Sequence, residues 1–263
     1  LAATWNVEMA TLFGTVLGKE ARGRGKDIIL APGVNINRTP LNGRNFEYLG
    51  EDPLLAGIMA AAEIQAIQKQ GVAACLKHYA LNNQEVDRFS VSVEVDERAL
   101  QEIYLYPFKV AVQEGGVLTV MSAYNKIRGV YATEHQYLNN DILKKEWGFK
   151  GALISDWGAV HTTTEAVLGG TDIEMGTHFG SWGLPYENYF FATPLKKLVE
   201  TGVIAEEVVN DKVRRVLYVI HKVMLEKNRP QGEKSIQAHH DASLAIARES
   251  IVLLKNEANI LPL

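Results

Sequence analysis

Five apolar runs recur along the chain between helical stretches, at residues 28–36, 71–79, 116–124, 151–157 and 170–175, the last being the weakest. Their apolar character is nearly continuous. A half-solvated strand alternates apolar and polar residues, whereas a strand covered on both faces does not need to. Strand, helix and strand in repeated succession imply a parallel sheet joined by right-handed crossovers. The expected fold is therefore α/β, a TIM-barrel-like (β/α)8 domain or an incomplete barrel. A complete barrel needs eight strands, and only five runs are visible here. The opening Leu1-Ala2-Ala3-Thr4-Trp5 reads as the middle of a helix, so the barrel's N-terminal part is expected to precede residue 1.

The intervening stretches carry helical signals. Residues 53–69 are alanine-rich with apolar residues at helical spacing, and stop before Gly71. Residues 95–113 begin with Asp96 and Glu97, acidic groups that favour the positive end of a helix dipole. Residues 138–147 are amphipathic and stop at Gly148. Near residue 228 the composition turns polar, with Pro230 and Gly232 marking a linker. The expected division is a barrel-like domain over 1–228, a linker over 229–240, and the start of a second domain over 241–263, opening with a helix capped by Asp241.

Composition excludes several classes. A net charge of −4 over 263 residues does not suit a surface built for phosphate backbones, so no nucleic-acid partner is expected. Cys75 is the single cysteine, which rules out an internal disulfide and a cysteine-rich zinc site. No apolar run approaches the roughly 18 residues that a membrane-spanning helix requires, and no membrane partner is expected. No cofactor or metal is expected either. His239-His240-Asp241 could hold a metal but reads as exposed linker surface. Gly14–Lys19 falls one residue short of a phosphate-binding loop and lacks the Ser or Thr after its lysine. The compartment is not fixed by the sequence.

Polar residues gather at one end of the strand runs. Lys77 and His78 close the second, Tyr124 the third, and Asp156 and Trp157 the fourth, while Arg44 lies in the loop after the first. In parallel α/β folds the C-terminal rim of the strands is where active sites are built. Each residue has an ordinary reading beside this one. Asp156 could cap a helix, Arg44 could brace its loop through Glu47 or Glu51, Lys77 could reach solvent, His78 could be a bonded core residue, and Tyr124 could give its hydroxyl to backbone. Taken together, Asp156 among cations would be held ionised with a lowered pKa, as a nucleophile toward an anomeric carbon must be. Arg44, Lys77 and His78 would supply donors to hydroxyl groups, and Trp157 a flat wall for a sugar ring.

The segments that carry these residues resemble those of glycoside hydrolase family 3. They are residues 43–53 (GRNFEYLGEDP), 72–83 (VAACLKHYALNN), 96–105 (DERALQEIYL), 121–125 (MSAYN), 153–157 (LISDW) and 249–256 (ESIVLLKN), in order and at ordinary spacing. The resemblance implies a retaining glycosidase, most simply a β-glucosidase releasing terminal non-reducing β-D-glucosyl units, with an oligosaccharide or β-glucoside as substrate. It implies Asp156 as nucleophile, and Arg44, Lys77, His78, Tyr124 and Trp157 as substrate-binding residues. It also implies that residues 1–228 are the catalytic domain, that residues 241–263 start an α/β sandwich domain, that the acid/base comes from the part of that second domain outside this sequence, and that a further sugar-binding aspartate precedes residue 1. Relatives that cleave N-acetylglucosamine carry a Gly- and His-rich stretch after Lys-His. The continuation here, Tyr79 to Glu85, departs from that pattern and favours the β-glucosidase-like branch.

Other readings are a β-xylosidase or another exo-glycosidase of the same family, a Schiff-base aldolase built on Lys77, and a carbohydrate-binding domain without turnover.

Overall fold

The computed structural model describes residues 1–176, 185–226 and 228–262. All five apolar runs lie side by side in one parallel arrangement. Strands β1 (Ile28–Ile29), β2 (Ala73–Tyr79), β4 (Thr119–Ser122) and β7 (Ala152–Ile154) are ordered β1-β2-β4-β7, so each strand run pairs with the next one in sequence. Gly33 bridges Lys77 and Ile173 bridges Ile154, both parallel, which extends the first run and adds the fifth as a single-bridge edge.

The register explains why these strands are apolar throughout. Leu76, Val120 and Leu153 face outward and pack with Ile64, Ile67, Phe108 and Ala111 of the covering helices. Their neighbours Cys75, Met121 and Ile154 face the other way, against Leu30, Ile173 and Met175. Period-2 alternation therefore distributes the side chains of β2, β4 and β7 to two buried faces, whereas Ile28 in β1 is exposed.

Helices α1 (Val7–Gly23), α2 (Pro53–Lys69) and the continuous helical run α3, made of Glu97–Ala99, Leu100–Tyr104 and Tyr106–Gln113, cover the outer face. The α2 limits match the sequence expectation. Asp52 caps it by accepting from the amides of Leu54 at 2.8 Å and Leu55 at 2.9 Å, Pro53 occupies its first position, and Gly71 follows with φ 73°. Asp96 caps α3 through the amide of Ala99 at 2.9 Å. The helix α4, Tyr137–Glu146, has π-type hydrogen bonding and is followed by Gly148 at φ 71°. Between these, β3 (Ser92–Val93), β5 (Lys126–Ile127) and β6 (Val130–Tyr131) form a small second sheet beside the C-terminal rim.

The fifth run is held by charge as well as by pairing. Asp172 is buried, accepts the amide of Leu153 at 2.8 Å, and meets Lys144 of α4 at 2.7 Å. Lys212 of α7 (Glu206–Ile220) lies 3.8 Å from the same carboxylate and donates to the carbonyl of Thr171. Burial pushes the Lys212 ammonium down to about 8.

Several sequence expectations need correction. The first residues are not mid-helix: Ala2–Thr4 is a 3-10 turn, Trp5 adopts φ 53°, and Asn6 starts α1 by accepting the amide of Glu8. A left-handed residue followed by a capping asparagine begins a helix and does not continue one. Residues Gly14–Lys19 lie within α1, so no phosphate-binding loop exists there. Near the other end, helix α8 spans Gln237–Ser250, after α5 (Thr164–Leu168) and α6 (Thr193–Glu200). Asp241 is therefore inside α8, where its carboxylate accepts from Gln237, and it caps nothing. The helix starts within the stretch expected to be linker. His239 is not exposed surface. It is buried against α1, with Nδ1 2.5 Å from Glu20.

Candidate active site

β7 ends at Ile154, and two residues later Asp156 stands at the C-terminal rim, 6% exposed. Its Oδ1 accepts the amide of Trp157 at 2.8 Å. No helix begins there, the next being α5, so the carboxylate is not a helix cap. Trp157 is 45% exposed and presents its ring at the rim.

β2 delivers its two polar residues where its pairing with β4 slips, between Leu76 and Tyr79. The peptides Lys77–His78 and Tyr79–Ala80 are cis. Lys77 Nζ reaches Glu47 at 3.0 Å, and Arg44 pairs with the same carboxylate. Burial alone would raise the Glu47 carboxyl, but the bonds from Arg44 and Lys77 outweigh it and hold the group below its ordinary value. The loop after β1 therefore builds one anion that aligns two cations.

His78 is buried, and Asn35 clips its backbone at two points. The Asn35 amide group donates to the His78 carbonyl at 2.9 Å, and its oxygen accepts the His78 amide at 2.8 Å. On the ring, Nε2 points to Asp156 Oδ2 at 3.7 Å, and Nδ1 lies 3.1 Å from the Tyr48 hydroxyl. The Nε2 contact is too long for a direct hydrogen bond. It is not an ion pair either, because burial, reinforced by the positive charges of Arg44, Lys77 and Arg88, pushes the imidazole well below its ordinary value and keeps it neutral.

Tyr124 donates to the carbonyl of Trp157 at 3.1 Å, so its hydroxyl is backbone-satisfied as its ordinary reading allowed. It nonetheless flanks the carboxylate: burial raises the phenol, and the Asp156 charge raises it further. Arg88 lies 4.9 Å from the Tyr124 ring centroid and 4.8 Å from that of Phe89.

One electrostatic expectation is reversed. The Asp156 carboxyl is not lowered but raised above its ordinary value of 3.8. Burial is the largest influence, and the Trp157 amide, Tyr124, Arg44 and Arg88 only partly offset it.

Arg44, Lys77, His78, Tyr124, Asp156 and Trp157 thus collect at one rim, through direct contact or through shared partners. Reading of the sequence missed five residues of this assembly: Asn35, Glu47 as a bridging anion, Tyr48, Asn82 and Arg88. Asn35 was marked by its polarity inside an apolar run. Asn82, Glu85 and Arg88 follow β2 at three-residue spacing, which was the available signal for a polar cluster after a strand end.

The profile of the glycosyl hydrolase family 3 N-terminal domain matches residues 1–219. The chain is 52% identical over 262 residues to the β-glucosidase BoGH3A of Bacteroides ovatus, covering 97% of this chain and 35% of that protein. It is 43% identical to the thermostable β-glucosidase B of Acetivibrio thermocellus, covering 100% of this chain and 34% of that one. Among solved structures, β-glucosidase 3B of Thermotoga neapolitana in complex with glucose superposes with a TM-score of 0.91 at 39% identity, covering 100% of this chain and 36% of that one. DesR, a β-glucosidase of Streptomyces venezuelae in complex with D-glucose, superposes with a TM-score of 0.93 at 35% identity, covering 100% and 34%. The chain spans about a third of the length of these relatives.

Proposed function

The chain belongs to glycosyl hydrolase family 3, and from that premise we propose that it carries the nucleophile and the sugar-gripping residues of a retaining β-glucosidase. The observation that carries this reading is Asp156, a buried carboxylate at a strand terminus with Trp157 beside it, the charges of Arg44 and Arg88 acting on it, and the neutral ring of His78 3.7 Å away. Asp156 attacks the anomeric carbon, and the bond to the leaving oxygen breaks as a glycosyl ester forms. The leaving oxygen takes a proton from the acid/base, water then gives a proton back to that group as it attacks the same carbon from the opposite face, and the sugar is released with its configuration retained and the carboxylate restored. Arg44, Lys77 and His78 donate hydrogen bonds to ring hydroxyls, and Trp157 covers one face of the sugar.

The acid/base is assigned to a group outside residues 1–263. Retention needs the second carboxyl about 5–5.5 Å from the first. The carboxylates nearest the rim are already engaged. Glu47 is held by Arg44 and Lys77, and Glu85 by Arg88 at 2.5 Å and Asn82 at 3.3 Å. Lys77 is paired with Glu47, an ion pair that a Schiff-base lysine, which must be neutral to attack, would have to give up.

The reading is tested by mechanism-based labelling of the full-length protein with a 2-fluoro β-glucoside bearing a very good leaving group. Such a group departs with little help from an acid, so the experiment isolates the nucleophile. Peptide mass spectrometry is expected to find the glycosyl adduct on Asp156. An adduct on another residue, or turnover with inverted product, would remove Asp156 from the role.

The same reagent reads the carboxyl's environment. Only ionised Asp156 attacks, and its value lies above 3.8. The labelling rate is therefore expected to fall as pH drops through a window above the ordinary aspartate value, with a plateau on the alkaline side. A half-maximal rate at or below 3.8 would mean that burial does not dominate at this site.

A further inference from the structure

Tyr48 and Asn82 touch neither of the groups assigned to the reaction except through His78, yet both are buried polar residues at the site. Their hydrogen bonds have a fixed direction. The starting point is Glu85, a carboxylate that Arg88 holds at 2.5 Å. An ionised carboxylate only accepts. The Asn82 side-chain nitrogen lies 3.3 Å from Glu85 Oε1, and the same nitrogen lies 3.2 Å from the Tyr48 oxygen. The partnership with Glu85 therefore fixes which end of the Asn82 amide faces inward: it is the NH2 end. Tyr48 receives a hydrogen from Asn82 and has one hydrogen of its own to give. The remaining acceptor is His78 Nδ1, at 3.1 Å. A neutral imidazole that accepts at Nδ1 must carry its hydrogen on Nε2. Nε2 is the ring atom that faces Asp156, 3.7 Å away.

We propose that Tyr48, oriented by Asn82 and Glu85, is a positioning residue that locks His78 in the Nε2–H tautomer, so that His78 donates into the sugar site beside Asp156. The neutral state of the ring, enforced by burial and by three neighbouring cations, is a condition of this device, because a doubly protonated ring would make the tautomer meaningless. The opposite tautomer would turn a bare nitrogen lone pair toward the Asp156 carboxylate, acceptor against acceptor, and would lose the donor to the substrate hydroxyl. Asn35 completes the arrangement by fixing the backbone from which the ring projects. The kinetic consequence rests on the β-glucosidase reading, whereas the tautomer itself does not.

The experiment combines both readouts on the full-length protein. Selective 15N labelling of histidine, with His78→Gln identifying the signal, reports which ring nitrogen bears hydrogen. Wild type is expected to show a protonated Nε2 and a bare Nδ1. Tyr48→Phe removes only the hydroxyl, and the Nδ1–H form is expected to appear. With an aryl β-glucoside, kcat/KM of Tyr48→Phe should fall roughly 10–100-fold, the scale on which outer partners of functional histidines act. In a His78→Gln background the same substitution should cost little, since its effect runs through the ring. A wild-type ring protonated at Nδ1 would overturn the proposal, as would an equal cost of Tyr48→Phe in both backgrounds, which would mark a packing role. If the protein hydrolysed no β-glucoside while the ring was found as Nε2–H, the proposed activity would fall and the tautomer assignment would stand.

Discussion

Replacing Asp156 by alanine is expected to lower kcat for β-glucoside hydrolysis by on the order of 10⁴-fold or more, the scale seen when a hydrolase loses its covalent nucleophile. On the proposed reading the substitution removes the atom that would form the bond to the anomeric carbon and leaves the proposed hydroxyl-binding groups in place, so binding of glucose should change far less than turnover. Added azide should restore part of the rate with an activated aryl glucoside by attacking from the vacated side. Aryloxide leaves as the carbon–azide bond forms, and the product has inverted configuration. A variant that retains ordinary turnover, or that yields azide product of retained configuration, would place the nucleophile elsewhere.

Stability gives an independent check that such a loss is chemical. The folded-state value of Asp156 is raised above 3.8, so the native state binds more protons than the unfolded chain in the window above 3.8, and stability contributed by this group falls as pH rises through that window. Its ionised form is thus a cost to the fold at neutral pH. Asp156→Asn keeps an oxygen for the Trp157 amide and removes the buried charge. Inactivity with an unchanged or higher Tm at neutral pH would separate loss of chemistry from loss of structure.

What the sequence made legible follows from how local each signal is. Helix α2 could be read to its limits because Asp52 and Pro53 encode its start, and Gly71 its end, within two residues of each boundary. The strand runs were legible because burial on two faces makes their apolar character nearly continuous. The position of Asp156 could be read because a charge that ends such a run has few places to go but the rim. By contrast, the lowered pKa expected for Asp156 was wrong because neighbouring charges are visible in a sequence and burial is not. Arg44, Lys77 and Glu47 form a single charge cluster only because β1 and β2 are adjacent, bringing residues 30 or more positions apart in sequence into contact. His239 read as surface because its partner Glu20 lies more than 200 residues away on another helix. Asn82 and Glu85 were read only as part of a sequence pattern, because the direction of a hydrogen bond depends on where its partners stand in space.

A residue 1–263 polypeptide is expected to discriminate sharply between leaving groups. An aryl glucoside whose phenol leaves unaided needs only the nucleophile and the hydroxyl-binding residues. Cellobiose needs a proton delivered to the departing oxygen, and the absence of a general acid costs on the order of 10²–10⁴ in rate. The ratio of kcat/KM for the activated substrate to that for cellobiose should therefore be larger in this polypeptide than in the full-length protein by about that factor. Folding loss alone would depress both substrates together and leave the ratio unchanged, so the ratio reports the acid and not the amount of folded protein. If residues 1–263 hydrolysed cellobiose as well as the full-length protein does, the acid would lie within them. Glu174 would then be the first residue to replace: it is half-buried just beyond the Ile173 bridge, and burial raises its carboxyl against the bonds it receives from the Phe191 and Phe190 amides.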